Sequence, residues 1–475
     1  MLSLREIIDA TGGTILNEAS PDFSGVSIDS RTIKEGELFI ALKGDRFDGH
    51  AFVMNALEKG AGAMLDRNTV CSKGRGMQNH KVCIEKYAYT GTIILVNNTV
   101  QALHDIARYV RNRFNGHVIG VVGSNGKTTT KELISSILGT RFDILKTEGN
   151  FNNHIGMPLS IIKCRKETEA MVLEMGTNKP HDIDELCTIA RPDIGVITNI
   201  GYEHLEGFGS LSIVRESELE ILPYVRSVIV NNDDAFLMEG VKRIFEGEII
   251  TFGIQNTSAT VKAGQIIFSG GGTSFTLSAG DEHITVTSQL RGQFNVSNCL
   301  AAASTAFALG FGLKDIKTGL ESFRGLPMRF EVVQYEGATF LNDVYNANPS
   351  STEESIKELI RMSACSTYKR AIVVLGDMLE LGESGVPSHK KLGQSMSEHP
   401  IDLFIGVGTL MTHAVSEFKG KGIHEATSEG AGRHLSKVVK EGDIILIKGS
   451  RGMRMEKVLA VIRDSFKKPD ALRED

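Results

Sequence analysis

The stretch Gly120–Thr130, GVVGSNGKTTT, decides how this chain is read. The apolar run His117-Val118-Ile119-Gly120-Val121-Val122 leads into it, and a helical pattern from Lys131 to Leu138 leaves it. Strand, glycine loop and helix in that order make a phosphate cradle. Glycines let backbone N–H groups turn toward an anion, the new helix presents unpaired N–H groups and its positive dipole end, and a lysine adds a full charge. Gly123, Ser124, Asn125, Gly126, Lys127, Thr128 and Thr129 are therefore the candidate nucleotide-binding residues, with the Thr128 hydroxyl offered to Mg2+. The loop is the short form GxxGKT rather than GxxxxGK[ST], because Val121 stands where the longer form has glycine.

At 475 residues the chain is too long for one core, and roughly two to four domains are expected. A hydrophobic content of 41% with 23% charged residues is ordinary for a globular protein, and the net charge of −6 without a basic tract gives no reason to expect nucleic acid. The N-terminus MLSLREIIDATGG has no basic start followed by an apolar run, and no window is apolar for the roughly eighteen residues a membrane span needs. A cytoplasmic protein without a membrane span is expected. Six scattered cysteines without CxxC spacing are expected to be buried small hydrophobes, not a metal site or a disulfide framework.

The organisation expected is α/β throughout, in three domains: a small unit over 1–98, a central phosphate-loop unit with a mostly parallel sheet over 99–324, and a doubly wound sheet over 325–475. In the first, strands near Val26–Asp29 and Leu38–Leu42 end in the polar clusters Ser30-Arg31 and Lys43–His50. Ligands of open α/β sheets collect at such strand ends, which makes Ser30, Arg31, Asp48, Gly49 and His50 candidates for a polar, phosphorylated substrate. Residues 68–88 read as an irregular surface insertion. Thr99 opens a helix with apolar positions Val100, Leu103, Ile106, Val110 and Phe114. In the central unit Asn150, Asn152 and Asn153 are either turn formers or amides that orient a ligand without adding charge. The strand Ala170–Leu173 ends on Glu174, a carboxylate placed to take a metal ion beside a phosphate loop. A second strand end carries His204 among glycines. Antiparallel strands between 265 and 288 embellish this unit, and an alanine-rich helix is expected from Cys299. The last ten residues are polar and expected to be mobile.

Physical reading alone does not choose among kinase, GTPase, motor and ligase. The motifs GSNGKTTT, the asparagine run with IGMPLS, EMG, TNIG with EHLEGFGS, GQFNVSN and DVYNANP follow one another over the whole chain, and together they resemble the Mur ligases. SIDSR, LFIALKGDRFDGHAF, DVYNANPSS, VLGDMLELG and IKGSRGMRME are similar to the branch that joins D-Ala-D-Ala to UDP-MurNAc-tripeptide, while the DNPR-type motif of a sister ligase is absent. The resemblance implies an ATP-dependent amide ligase of peptidoglycan precursor synthesis with an acyl-phosphate intermediate. By motif position it implies Lys127 on the β- and γ-phosphates and Thr128, Glu174 and His204 at the metals. It also puts Asn295 and Asn298 at the nucleotide, Arg329, Asp343 and Asn346 reaching it from the third domain, and Ser30-Arg31 with Asp48-Gly49-His50 at the UDP end. Such a division of labour requires the domains to close, so an inactive open form is expected. A monomer is expected.

Two residues depart from the family pattern. Members usually carry, about a dozen residues after HLEGFG, a lysine carbamylated by CO2 beside the second Mg2+; counted from His204, that position holds Glu218. A glutamate supplies the same charge permanently, although its carboxyl carbon lies three bonds of ~1.5 Å nearer the backbone. Glu218 is thus expected to replace the carbamate, the alternative being a solvated helix glutamate. Phe294 stands where the family's GxHNxxN has histidine, and either ring can stack on adenine. The rival readings are another ligase of the superfamily and a nucleotide-binding regulator that has lost turnover.

Overall fold

Runs of Val, Ile and Leu buried on both faces recur between amphipathic helices, the pattern that parallel sheets covered by helices require. A computed structural model describes the whole chain except residues 1, 45–46, 72–75, 79–80, 84–90, 270, 365–366 and 467–475. The expected mobile tail lies almost wholly outside the described residues.

The first sheet is five-stranded, formed by β1 (Thr14–Asn17), β2 (Gly25–Ser27), β3 (Glu37–Ile40), β4 (Gly62–Asp66) and β5 (Thr92–Val96) in the order β1-β5-β4-β3-β2. Only β1 runs antiparallel to its neighbour. The stretch expected to be irregular carries three short strands, Val70–Cys71, Gly76–Gln78 and Lys81–Cys83, which pair with one another. Backbone pairing over so few residues leaves no periodicity to read. Helix α1 (Thr99–Asn112) follows, and its Leu103, Ile106 and Ala107 join one core that runs from Leu38 and Ile40 to Val118 and Met171 of the next sheet.

That next sheet has nine strands. In chain order the elements are β6 (His117–Val122), α2 (Lys127–Leu138), β7 (Ile144–Lys146), α3 (Gly156–Ile162), β8 (Ala170–Glu174) and β9 (Ile194–Ile197). They continue with α4 (Leu205–Phe208), α5 (Leu211–Glu218), β10 (Ser227–Asn231), β11 (Glu248–Gly253), β12 (Val261–Ser269), β13 (Gly272–Ala279), β14 (Glu282–Ser288) and α6 (Gln293–Ala308). The spatial order is β7-β8-β6-β9-β10-β11-β12-β13-β14, parallel as far as β12 and antiparallel through the last two strands. Helix α6 starts at Gln293 rather than at Cys299, because the chain turns at Gly292 with φ 94°; Asn295 and Asn298 therefore lie in its opening turns.

The third sheet comprises β15 (Glu331–Tyr335), β16 (Ala338–Asp343), β17 (Arg370–Gly376), β18 (Leu403–Val407), β19 (Gly422–Glu425) and β20 (Asp443–Lys448), in the order β15-β16-β20-β17-β18-β19. Helix α7 (Pro349–Ser363) follows β16. Edge strands β15 and β19 are half-exposed and lack the apolar run that marks the inner four. Leu205 and Phe208 of α4 and Val214 of α5 are buried in the core of this third domain, beside Met378 and Leu381. The short helix is thus a hydrophobic plug from the central domain. Phe208 is 2% exposed, so Phe208→Ala should cost about 3–5 kcal/mol. Thermal melting should show this loss, and limited proteolysis should cut first between the second and third domains.

Candidate active site

Strand β6 is flanked by β8 on one side and β9 on the other, so successive crossovers leave it in opposite directions and open a crevice at the strand ends. The loop between β6 and α2 fills that crevice. Gly123 has φ 116° and Gly126 φ 84°, and a methyl group on either would come within 2.3 Å of Thr198 Oγ1 or Asn298 Oδ1. Both positions therefore require glycine. The N–H of Ser124 donates to Asn199 O at 2.9 Å and that of Asn125 to Asn199 Oδ1 at 3.1 Å. The Ser124 hydroxyl exchanges hydrogen bonds with Gly201, donating to its carbonyl at 3.1 Å and accepting from its N–H at 2.8 Å. With the loop tied down in this way, the opening N–H groups of α2, from Lys127 through Thr128 to buried Thr129, have no intrahelical partner and face the crevice as an anion site.

The opposite wall is acidic. Glu218, at the end of α5, is fully buried and accepts the Gly123 N–H at 2.7 Å through Oε2. The alternative of a solvated glutamate is thereby overturned. Burial pushes its carboxyl up to about 8, against the pull of Lys127 and with the help of Glu203. Glu203 is also buried, with Oε2 3.5 Å from Lys127 Nζ. It opens the EHLEGFGS motif, and its approach to the loop is set by the β9–α4 connection. The Lys127 ammonium curls back to the Gly123 carbonyl at 2.5 Å; burial lowers its affinity for a proton, but Glu203, Glu218 and Glu174 outweigh that and raise it.

Glu174 ends β8, buried, with Oε1 accepting from Asn152 Nδ2 at 2.9 Å. Asn152 is thus the amide of the asparagine run that faces the site. Asn153 instead accepts from the N–H groups of Ile155 and Gly156, a turn at the start of α3, and Asn150 is exposed. Oε2 of Glu174, Oε1 of Glu203 and Oε1 of Glu218 are buried without a hydrogen-bond partner. Orphaned carboxylate oxygens beside an anion-binding turn suit Mg2+, which takes hard oxygen ligands and draws part of its shell from phosphates and water. Among the described residues no three His, Cys, Asp or Glu side chains converge on one metal-sized point. His204 in particular is turned away to the third domain, with Nδ1 2.7 Å from Glu380 Oε2.

That contact belongs to a wider junction. The Glu206 N–H donates to the Glu380 carbonyl at 3.1 Å, and both His204 (φ 45°) and Glu380 (φ 64°) are left-handed. Arg329 Nη2 donates to Thr128 Oγ1 at 2.9 Å while its guanidinium lies 3.9 Å over the Tyr345 ring. Asn348 Nδ2 donates to Asn125 Oδ1 at 2.9 Å. The third domain therefore touches the phosphate loop directly. Asp343 does not: it accepts from Lys448 Nζ and Ser355 Oγ, each at 2.7 Å, and from the Phe330 N–H. Asn346 gives its carbonyl to the same Lys448. Asn298 and Asn295 are hydrogen-bonded to each other at 3.1 Å, and Asn295, Arg291 and Arg329 line a cleft of about 450 Å3 leading away from the loop. Phe294 packs edge-on against Phe330, with centroids 5.4 Å apart, so its ring serves the domain junction.

The first domain departs most from expectation. His50 is buried and uses both ring nitrogens, donating from Nδ1 to Asp48 Oδ1 at 2.6 Å and accepting at Nε2 from the Asp66 N–H at 3.0 Å. Asp48 also caps the short turn that starts at Gly49, whose N–H donates to Leu42 O. These residues hold the loop together and leave the imidazole no free atom for a ligand. Ser30 is mostly buried, and Arg31 is exposed on Asp29 at 2.6 Å. Cys187 and Cys299 are buried, Cys164 half-buried, and all three are free thiols.

Three family models match the chain. They are the Mur ligase family catalytic domain over residues 22–111, the Mur ligase middle domain over 121–306, and the Mur ligase glutamate ligase domain over 328–451. The UDP-N-acetylmuramoyl-tripeptide--D-alanyl-D-alanine ligase of Bacillus subtilis (strain 168) is 34% identical over 476 residues, 98% of each chain. The Escherichia coli (strain K12) protein of the same name is 31% identical over 98% of this chain and 99% of its own. Crystal structure I of MurF from Acinetobacter baumannii superposes with a TM-score of 0.85 at 29% identity, over 97% of this chain and 98% of that one. MurF ligase from Thermotoga maritima in complex with ADP gives 0.80 at 30% identity over 93% and 98%. With a glycine loop at the switch point of its central sheet and family models matching in each of its three domains, the chain belongs to the Mur ligase family.

Proposed function

We propose that this chain is an ATP-dependent ligase that joins the amine of D-Ala-D-Ala to the terminal carboxylate of a UDP-MurNAc-tripeptide. The observation that carries the reading is the Lys127 ammonium and free helix N–H groups facing three buried glutamates, with Arg329 of the third domain on Thr128. A carboxylate is a poor acylating agent at neutral pH. Attack of its oxygen on the γ-phosphorus releases ADP and gives an acyl phosphate; the amine then adds to that carbonyl, and the tetrahedral adduct expels phosphate.

The protein's own part is positioning and charge neutralisation. Lys127 leaves the Gly123 carbonyl and Glu203 for the β- and γ-phosphates, while the N–H groups at the start of α2 take their remaining oxygens. Arg329 moves from Thr128 onto the same phosphates, and Asn295 with Asn298 holds the nucleoside side of the cleft. The orphaned oxygens of Glu174, Glu203 and Glu218 form no ready-made cage, so Mg2+ would take one or two of them with phosphate oxygens and water completing its shell, and its charge would offset that accumulating between phosphate and acceptor carboxylate. Residues 1–98, through Ser30 and Arg31, bind the UDP end of a cytoplasmic precursor. In support of that location, no helix among the described residues is long and apolar enough to cross a membrane.

ADP release should require ATP, Mg2+, UDP-MurNAc-tripeptide and D-Ala-D-Ala together, each omission abolishing it. Release with D-Ala-D-Ala omitted, or with another amino acid in its place, would defeat the reading. Lys127→Ala should lower turnover by about 10²–10³. Glu218 carries its carboxyl group as part of the chain and needs no CO2 to form it, so stripping CO2 and bicarbonate should leave turnover unchanged, while Glu218→Gln should lose about 10²–10³. Titration of the unliganded protein gives an independent check. Unfolded Glu218 loses its proton near 4.5 and the folded group near 8, so its contribution to stability is full below 4.5 and is lost as pH rises toward 8. Chemical denaturation across that window should show the decline in the parent and a flatter profile in Glu218→Gln.

A further inference from the structure

Lys131 lies one turn beyond Lys127 on α2, on the same helix face, and is fully buried. Lysine is almost never found so deep without partners. Its ammonium donates to the Thr147 carbonyl at 2.6 Å and stands 3.1 Å from Glu132 Oε1 and 3.8 Å from Glu174 Oε2. Three oxygens offset the cost of taking the charge out of water. Thr147 is itself fastened to the end of β8, since its hydroxyl accepts the Glu174 N–H at 3.0 Å and its own N–H donates to Val172 O at 3.1 Å. One ammonium thus ties together the phosphate-loop helix, the turn that opens the asparagine run, and the strand end that carries Glu174.

The carboxylate of Glu174 is gripped from two directions. Asn152 donates to Oε1, Lys131 attracts Oε2, and Oε2 is left without a hydrogen bond. We propose that Lys131 is a positioning residue that fixes the Glu174 carboxylate in the orientation that receives the divalent cation of the ATP complex. The proposal rests on the reading of Glu174 given above.

The test compares the parent with Lys131→Met, Lys131→Gln, Glu174→Gln and the double variant Lys131→Met/Glu174→Gln. Mn2+ affinity is read by electron paramagnetic resonance in the presence of a non-hydrolysable ATP analogue, alongside melting temperature, kcat and KM. Lys131→Met should weaken Mn2+ binding by about tenfold or more, the usual effect of losing a partner that orients a metal ligand. Lys131→Gln keeps a donor for the Thr147 carbonyl but loses the charge, and should weaken Mn2+ as well. KM for the UDP-linked substrate should stay within about twofold in both, and the double variant should bind Mn2+ no more weakly than Glu174→Gln alone. A folded Lys131 variant with parental Mn2+ affinity, while Glu174→Gln has lost it, overturns the role of Lys131 alone. Parental affinity in Glu174→Gln overturns the assignment of Glu174 and the proposal with it. If neither Lys131 variant folds, the residue is purely structural and the proposal fails.

Discussion

The attraction between the Lys127 ammonium and the carboxylates of Glu203, Glu218 and Glu174 is the constraint on which the rest of the site depends. Buried glutamates crowded near one another repel, and burial alone would keep Glu218 protonated at neutral pH. Lys127 faces this group from the loop while Lys131 attracts Glu174 from the helix behind it, so two ammonium groups are set among the three acids. A divalent cation accompanying a triphosphate would bring positive charge to the orphaned oxygens of these acids.

The fold was largely legible because its signals are local. A glycine loop between an apolar strand and a helix, strands ending on Glu174 and before His204, and a second alternating α/β pattern after residue 325 are each written in a few consecutive residues. What escaped was set by packing between distant segments. Lys131 sits in an ordinary polar context and Glu203 opens the EHLEGFGS motif with no role of its own assigned there, and only the folded sheet brings them to Glu174 and Lys127. Asn348 was quoted in a motif but reaches the loop across a domain boundary, whereas Asp343, chosen from the same motif, is engaged by Lys448. His50 shows the reverse error: its place near a strand end pointed to a ligand, but a strand end does not say which way a ring turns, and here it turns inward.

Glu218 joins these two themes. Its position in the chain marked it as a substitute for a modified lysine, and its burial against Gly123 ties it to the loop itself. The side chain reaches the phosphate loop because α5 ends close to it, with Oε2 2.7 Å from the Gly123 nitrogen. The plug of Leu205 and Phe208 just upstream anchors that segment to the third domain as well.

The meeting of His204 and Glu380 carries one more consequence. Each adopts a backbone geometry that L-residues avoid, at a cost of about 1–3 kcal/mol apiece, and the two side chains meet at 2.7 Å across the boundary between the second and third domains. Separating the domains would forfeit this contact and would release the backbone strain at both residues. The clasp thus carries strain that opposes it, and it contributes less to holding the second and third domains together than its hydrogen bonds alone would give.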